Sequence, residues 1–130
     1  LAELLPGLQR KAEIHRLRID GWVDEDVVIS VPLARTISIV LNELVTNAVK
    51  YARVPNRDGV VTIRLVAIED AGALLLYVRD DGPGHPDRVL MGDGWGFGLE
   101  VVKSLAEQHG GKLTLSNNQG AEVELLLPLE

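Results

Sequence analysis

Cysteine is absent from the 130 residues. That excludes disulfide frameworks, thiolate metal sites and cysteine nucleophiles, and it fits a reducing compartment. No apolar run approaches the roughly 20 residues of a membrane-spanning helix. No basic, apolar, small-residue start reads as a secretion signal. Excess positive charge is missing too. The formal net charge is −6, which disfavours wrapping nucleic acid, where phosphate neutralisation supplies most of the affinity. A single nucleotide stays compatible, because backbone N–H groups, a metal and one or two cations suffice to hold it. Repeats, low-complexity tracts and long linkers are lacking. What is present is ordinary for one globular domain: 46% hydrophobic and 25% charged residues. The chain opens on Leu1 rather than Met, and is read as a piece of a longer protein.

Patterning divides the chain. Residues 1–14 read as a helix with Leu4, Leu5 and Leu8 on one face. Leu17–Trp22 and Val27–Val31 read as two strands around the polar turn Asp24, Glu25, Asp26, hence a hairpin. Ser30 and Pro32 open the clearest helix, on which Ile37, Val40, Leu41, Leu44, Val45 and Ala48 recur at helical spacing. Asn56, Asp58 and Gly59 mark a loop. Val60–Ile68 and Leu74–Asp80 read as an antiparallel pair turning at Ala71-Gly72. Asp81 to Gly98 reads as a glycine-rich loop, Phe97 to His109 as a helix ended by Gly110-Gly111. Lys112–Ser116 and Glu122–Leu127 form a last hairpin around Asn117, Asn118 and Gly120. The expected fold is α+β: a two-layer α/β sandwich, its mixed, mostly antiparallel sheet carrying helices on one face.

Three features could carry chemistry. Glu43, Asn47 and Lys50 share one helical stripe beside the apolar face; the same stripe also reads as a solvated surface. Asp80-Asp81-Gly82-Pro83-Gly84 ends a strand. An ionised carboxylate there accepts but cannot donate, which suits an exocyclic amine such as that of adenine; an ordinary Asp-Gly turn is the other reading. Gly92, Gly94, Gly96 and Gly98 alternate into a helix start, where close backbone approach, free N–H groups and the helix dipole suit phosphate; a plain flexible loop is the alternative. The spacing is neither a Rossmann fingerprint nor a Walker A loop. His15, His85 and His109 are scattered and lack zinc-site spacing. His109 is read as a helix C-terminal capping residue and His85 as a solvated loop residue. Ser104 and Ser116 have no evident base partner. Trp95 either packs the glycine loop onto the core or contacts a partner.

In this order the motifs resemble the GHKL superfamily of ATP-binding domains, which includes gyrase-type topoisomerases, heat-shock chaperones, histidine kinases and mismatch-repair ATPases. Leu41-Asn-Glu-Leu-Val-Thr-Asn-Ala-Val-Lys-Tyr-Ala52 is similar to its N box, Val78-Arg-Asp-Asp-Gly-Pro-Gly84 to its first glycine box and Gly94-Trp-Gly-Phe-Gly-Leu99 to its second. The run from Val101 to Gly111, with Gly120 and the last strand, is similar to the end of sensor histidine kinases. Asn42–Ala48 is most like the second histidine-kinase subfamily. The resemblance implies ATP and Mg²⁺ as cofactors. By it, Asn47 would coordinate Mg²⁺, Lys50 would touch a phosphate, and Asp80 would accept from the adenine amine. Gly82 and Gly84 would admit the base; Gly94, Gly96, Gly98 and Leu99 would shape the phosphate lid; Glu43 would assist phosphoryl transfer.

The resemblance further implies that residues 1–14 are a helical linker or the tail of an upstream dimerisation domain, and residues 15–130 the ATP-binding catalytic domain. The partners would be that histidine-phosphotransfer domain and, indirectly, a response regulator. The whole protein would be a homodimer, with this domain cytoplasmic and touching neither nucleic acid nor membrane. Two departures stand out. The lid is short, with Val89, Leu90 and Met91 its apolar anchors in place of a phenylalanine box. No histidine sits in a helical phosphoacceptor context; His15, though beside Arg16, is not read as one. The short lid also fits anti-sigma-factor serine kinases. A degenerate phosphotransfer or docking scaffold is the third reading, against which the intact Asn47, Asp80 and glycine set argues.

Overall fold

The computed structural model describes residues 2–24, 27–52 and 57–129. In chain order the elements are a 3₁₀ turn (Ala2–Leu4), α1 (Leu5–Ile14), β1 (Leu17–Val23), α2 (Val31–Tyr51), β2 (Gly59–Ile68), β3 (Ala73–Asp80), α3 (Asp87–Leu90), α4 (Phe97–Gln108), β4 (Lys112–Asn117) and β5 (Ala121–Pro128). A second 3₁₀ turn, Glu69–Ala71, joins β2 to β3.

Alternation builds the sheet. Val61, Ile63 and Leu65 of β2, Leu74, Leu76 and Val78 of β3, and Val123, Leu125 and Leu127 of β5 are buried on one face. The residues between them, such as Arg64, Tyr77 and Glu124, face the other side. The five strands lie in the order β1-β2-β3-β5-β4, parallel only between β1 and β2. The helices cover the buried face, as the two-layer reading expects.

Residue choice explains α2. The Ser30 hydroxyl accepts from Leu33 N–H at 3.2 Å and caps the helix, with Pro32 in the first turn where no N–H is needed. Leu33, Ile37, Val40, Leu41, Leu44, Val45 and Ala48 bury its inner face. Each fully buried aliphatic side chain contributes roughly 1.5–3 kcal/mol, against a few tenths from helix propensity, so packing holds this helix. Leu41→Ala alone would cost about 2–5 kcal/mol. From α1, Leu8 and Ala12 enter the same core, and Leu4 and Leu5 pack on it.

Two expectations change. Among the described residues, Leu17–Trp22 and Val27–Val31 do not pair as a hairpin. Instead β1 pairs in parallel with β2, Leu17 opposite Gly59, and α2 is the crossover that a parallel pair requires. Val31 already belongs to α2. Val27 and Ile29 pack on the core while Val28 is exposed, so the strand-like alternation is one of burial without a ladder. Asp24 closes the strand end: its carboxylate accepts from Ala67 N–H and Trp22 Nε1, at 2.9 and 3.1 Å. Glu25, Asp26 and Asn56 lie outside the described residues. The stretch from Asp81 to Gly98 is also not all loop, since α3 forms within it.

Candidate functional site

Three chain segments converge at one end of α2. Glu43 and Asn47 reach the first turn of α4: a Cβ built on Gly98 would meet Glu43 Oε2 at 2.8 Å and Asn47 Oδ1 at 3.4 Å. Glycine is what lets the helix start come this close to a carboxylate and an amide. Lys50, one turn further along the stripe, is exposed. Beyond it the helix ends at Ala52, against which the first glycine turn rests; a Cβ on Gly82 would lie 2.6 Å from Ala52 Cα. The start of α4 and the Asp80–Gly84 turn therefore both lie against α2, one at Glu43 and Asn47 and the other at its end.

The two adjacent aspartates divide their work. Asp80, half-buried at the end of β3, accepts from Gly82 N–H at 2.9 Å and Ala121 N–H at 3.1 Å, both on Oδ1. Among the described residues nothing bonds its Oδ2, which keeps its lone pairs for a donor. Asp81 is structural: Oδ1 accepts from Val60 N–H at 2.9 Å and Oδ2 pairs with Arg57 Nη1 at 2.7 Å. Burial pushes this carboxyl up, but the Arg57 guanidinium and the Val60 N–H outweigh that and hold it below the usual range.

The segment after the turn is anchored at two points. Val89 of α3 is buried, and Trp95 Nε1 donates to its carbonyl at 2.8 Å. Lys103 of α4 lies 5.6 Å from the centroid of the Trp95 ring. Trp95 thus packs the segment onto the core. Leu90 and Met91 are exposed rather than anchoring it. Gly92 and Gly94 take positive φ there, +88° and +70°. Gly96 caps α4 without a side-chain bond, so the first N–H groups of α4 are open to an anion.

Residues 33–130 match the family model described as "Histidine kinase-, DNA gyrase B-, and HSP90-like ATPase". The chain belongs to this family. Sensor histidine kinase GtrS of Pseudomonas aeruginosa is 33% identical over 105 residues, covering 68% of this chain and 20% of GtrS. Sensor histidine kinase YvfT of Bacillus subtilis is 33% identical over 106 residues, covering 82% of this chain and 26% of YvfT. The chain thus spans about a fifth to a quarter of these relatives. The histidine kinase domain of the Erythrobacter litoralis blue-light activated histidine kinase superposes with a TM-score of 0.79 at 25% identity, over 97% of this chain and 61% of that one. The catalytic domain of histidine kinase ThkA shares the fold, with a TM-score of 0.81 at 20% identity over 98% and 88%.

Some residues around this candidate site were hidden in the sequence. Asn117 read as a turn residue, yet its amide binds the backbone of His85 across 32 positions. Ala121 has no polar side chain and acts through its N–H. Only Gly120, before the last strand, signalled that a backbone passes close by. His85 is not a solvated loop residue: it is half-buried and its Nε2 lies 3.2 Å from Glu122 O. That carbonyl can only accept, so Nε2 carries the proton. His109 does cap α4, and its Nε2 lies 2.8 Å from Thr36 Oγ1. Among the described residues, no helix is long and apolar enough to cross a membrane.

Proposed function

We propose that this chain is the Mg²⁺-ATP-binding catalytic domain of a two-component sensor histidine kinase. It passes the γ-phosphoryl group to a histidine on a dimerisation domain elsewhere in the protein, and a response regulator receives the group from there. The observation that carries this reading is the meeting of Glu43 and Asn47 with the start of α4, on the helix against whose end the Asp80–Gly84 turn rests, in a chain of the histidine kinase-like ATPase family.

The residues suit a divalent cation. Asn47 Oδ1 is a hard oxygen donor beside an anion-binding helix start. Mg²⁺ needs few protein ligands when phosphates and water complete its shell, so the absence of a three-residue acidic or histidine cluster among the described residues is compatible. Mg²⁺ when bound would neutralise the phosphate oxygens. Asn47 is its ligand, Lys50 meets a phosphate, and Gly94, Gly96, Gly98 and Leu99 shape the backbone around the phosphate chain. Asp80 accepts from the adenine amine through Oδ2, with Gly82 and Gly84 admitting the base. Glu43 orients the incoming imidazole and takes up its proton. The imidazole nitrogen forms a bond to the γ-phosphorus as the bond to the bridging oxygen breaks, and ADP leaves with that electron pair. Positioning and electrostatics supply most of the rate. The domain works on the cytoplasmic side, in a homodimeric parent protein.

Titration with Mg²⁺-ATP tests the reading. Wild type is expected to bind and Asp80→Asn to bind at least about tenfold more weakly, because an amide turned toward the amine sets donor against donor. No binding by wild type overturns the ATP site, and unchanged binding by Asp80→Asn overturns the role of Asp80. The short segment between the glycine boxes favours one rival, a serine kinase of the anti-sigma type. Phosphoamino-acid stability separates them: phosphohistidine is lost in acid and survives alkali, whereas phosphoserine does the opposite.

A further inference from the structure

We propose that Asn117 is a positioning residue for the base end of the nucleotide site, holding the Asp80–Gly84 turn in its binding shape. This rests on the Mg²⁺-ATP reading above. Asn117 ends β4, yet its carboxamide behaves as a strand would toward His85. His85 N–H donates to Oδ1 at 2.7 Å, and Nδ2 donates to His85 O at 3.1 Å. The amide lies against the turn itself: a Cβ on Gly84, whose φ is +91°, would fall 2.9 Å from Asn117 Oδ1.

The support beneath Asn117 is rigid. The Glu122 carboxylate accepts from Tyr77 Oη, from Ser116 Oγ at 2.8 Å and from Asn118 Nδ2 at 3.3 Å. Arg79 Nε donates to Asn118 O at 2.6 Å. These bonds fix the β4–β5 turn from the outer face of the sheet. From that turn Ala121 N–H holds Asp80, while Glu122 O accepts from the His85 ring. Asn117 thus links a cross-braced hairpin to a turn that two glycines would otherwise leave loose. If the turn samples other shapes, apparent affinity falls by the fraction of time it is competent. The Asn117 bonds go to the base end only; Glu43, Asn47 and Gly98 form the phosphate end.

NMR-monitored titration with AMP and with Mg²⁺-ATP tests this, and peak dispersion reports folding. Asn117→Ala is expected to weaken both nucleotides by one common factor of about tenfold, the scale of two modest hydrogen bonds. Asn117→Asp keeps the acceptor for His85 N–H but sets a carboxylate oxygen against His85 O, so it is also expected to weaken both nucleotides by one common factor. Asn47→Ala should weaken Mg²⁺-ATP far more than AMP. Should Asn117→Ala unfold, the comparison of Asn117→Asp with wild type carries the same test. Unchanged AMP affinity in Asn117→Ala, or in Asn117→Asp where the alanine variant unfolds, overturns the proposal even with a lowered Tm, and so does a loss in the Asn117 variants confined to Mg²⁺-ATP. Nucleotide binding absent from wild type itself overturns the ATP reading and this proposal together.

Discussion

The carbonyl oxygen of Asp80 lies where the Cβ of any residue other than glycine at position 120 would have to sit. The end of β3 and the β4–β5 turn therefore meet backbone to backbone, which is how Ala121 N–H comes within 3.1 Å of Asp80 Oδ1. Gly120→Ala must drive the two apart, and its φ of +142° adds strain for any side chain. The expected cost is roughly 2–4 kcal/mol of stability, with weaker ATP binding as Asp80 turns. A urea melt and an ATP titration of the same variant check both.

Glu43→Gln separates binding from transfer. The amide has nearly the shape of the carboxylate beside Gly98 but cannot take up a proton. Mg²⁺-ATP affinity is expected to stay within about threefold of wild type, while phosphoryl transfer falls by about 10² or more. Transfer of labelled phosphate, in a protein that carries the acceptor histidine, measures the second effect.

Stability is expected to plateau near neutral pH and fall on either side. The Glu122 carboxyl is held below its usual range by the Tyr77 hydroxyl and then Ser116, and Asp81 by Arg57 and Val60 N–H against its burial. Both contribute above the ordinary carboxylate pKa of about 4, and the contribution is lost as pH falls through the lower folded values. Tyr77 is pushed up from 10.0 to about 12, by burial first and then by its bond to Glu122. A raised pKa favours the protonated form, so its contribution is full below about pH 10 and lost between there and about pH 12. Tm measured across pH should therefore decline at the alkaline end, and Tyr77→Phe should flatten that limb.

Among the described residues, Thr36 is the buried polar side chain of the core, 5% exposed, and its partner is His109 at the end of α4. Thr36→Val keeps the volume and removes the bond. The expected loss is about 1 kcal/mol, read as a lower denaturant midpoint. ATP affinity should not change, because this contact lies at the opposite end of α4 from Gly98.

How much of this was legible follows from range. Helices and antiparallel strands were readable because burial periodicity is local: Ile37 to Ala48 and Val61 to Leu65 carry their own pattern. The placement of Glu43, Asn47 and Lys50 was legible for the same reason, since all three lie on one helix. The parallel pairing of β1 with β2 was not, because Leu17 and Gly59 meet only across α2. Asn117 and Ala121 were hidden for a second reason: they act on backbone groups far along the chain, and no side-chain pattern encodes that. Neither could residue order alone decide between the two readings of Trp95.

Trp95 sets how firmly the segment between α3 and α4 is held. An indole hydrogen bond to Val89 O contributes about 1 kcal/mol, and an exposed cation–π contact with Lys103 about 0.5–1 kcal/mol. Against these stands the ordering of positive-φ glycines at 92 and 94, worth roughly 1–2 kcal/mol per residue. Burial of Val89 adds to the favourable side, so the segment is held in place, and ATP is expected to pack it more closely. In Trp22→Phe, which removes the other tryptophan, emission from Trp95 is expected to change on adding Mg²⁺-ATP. Trp95→Ala should lower ATP affinity several-fold and lower Tm by a few degrees, since the indole packs against the core and makes both contacts. An emission spectrum indifferent to ATP, together with wild-type affinity in Trp95→Ala, would show that the segment does not couple to the nucleotide.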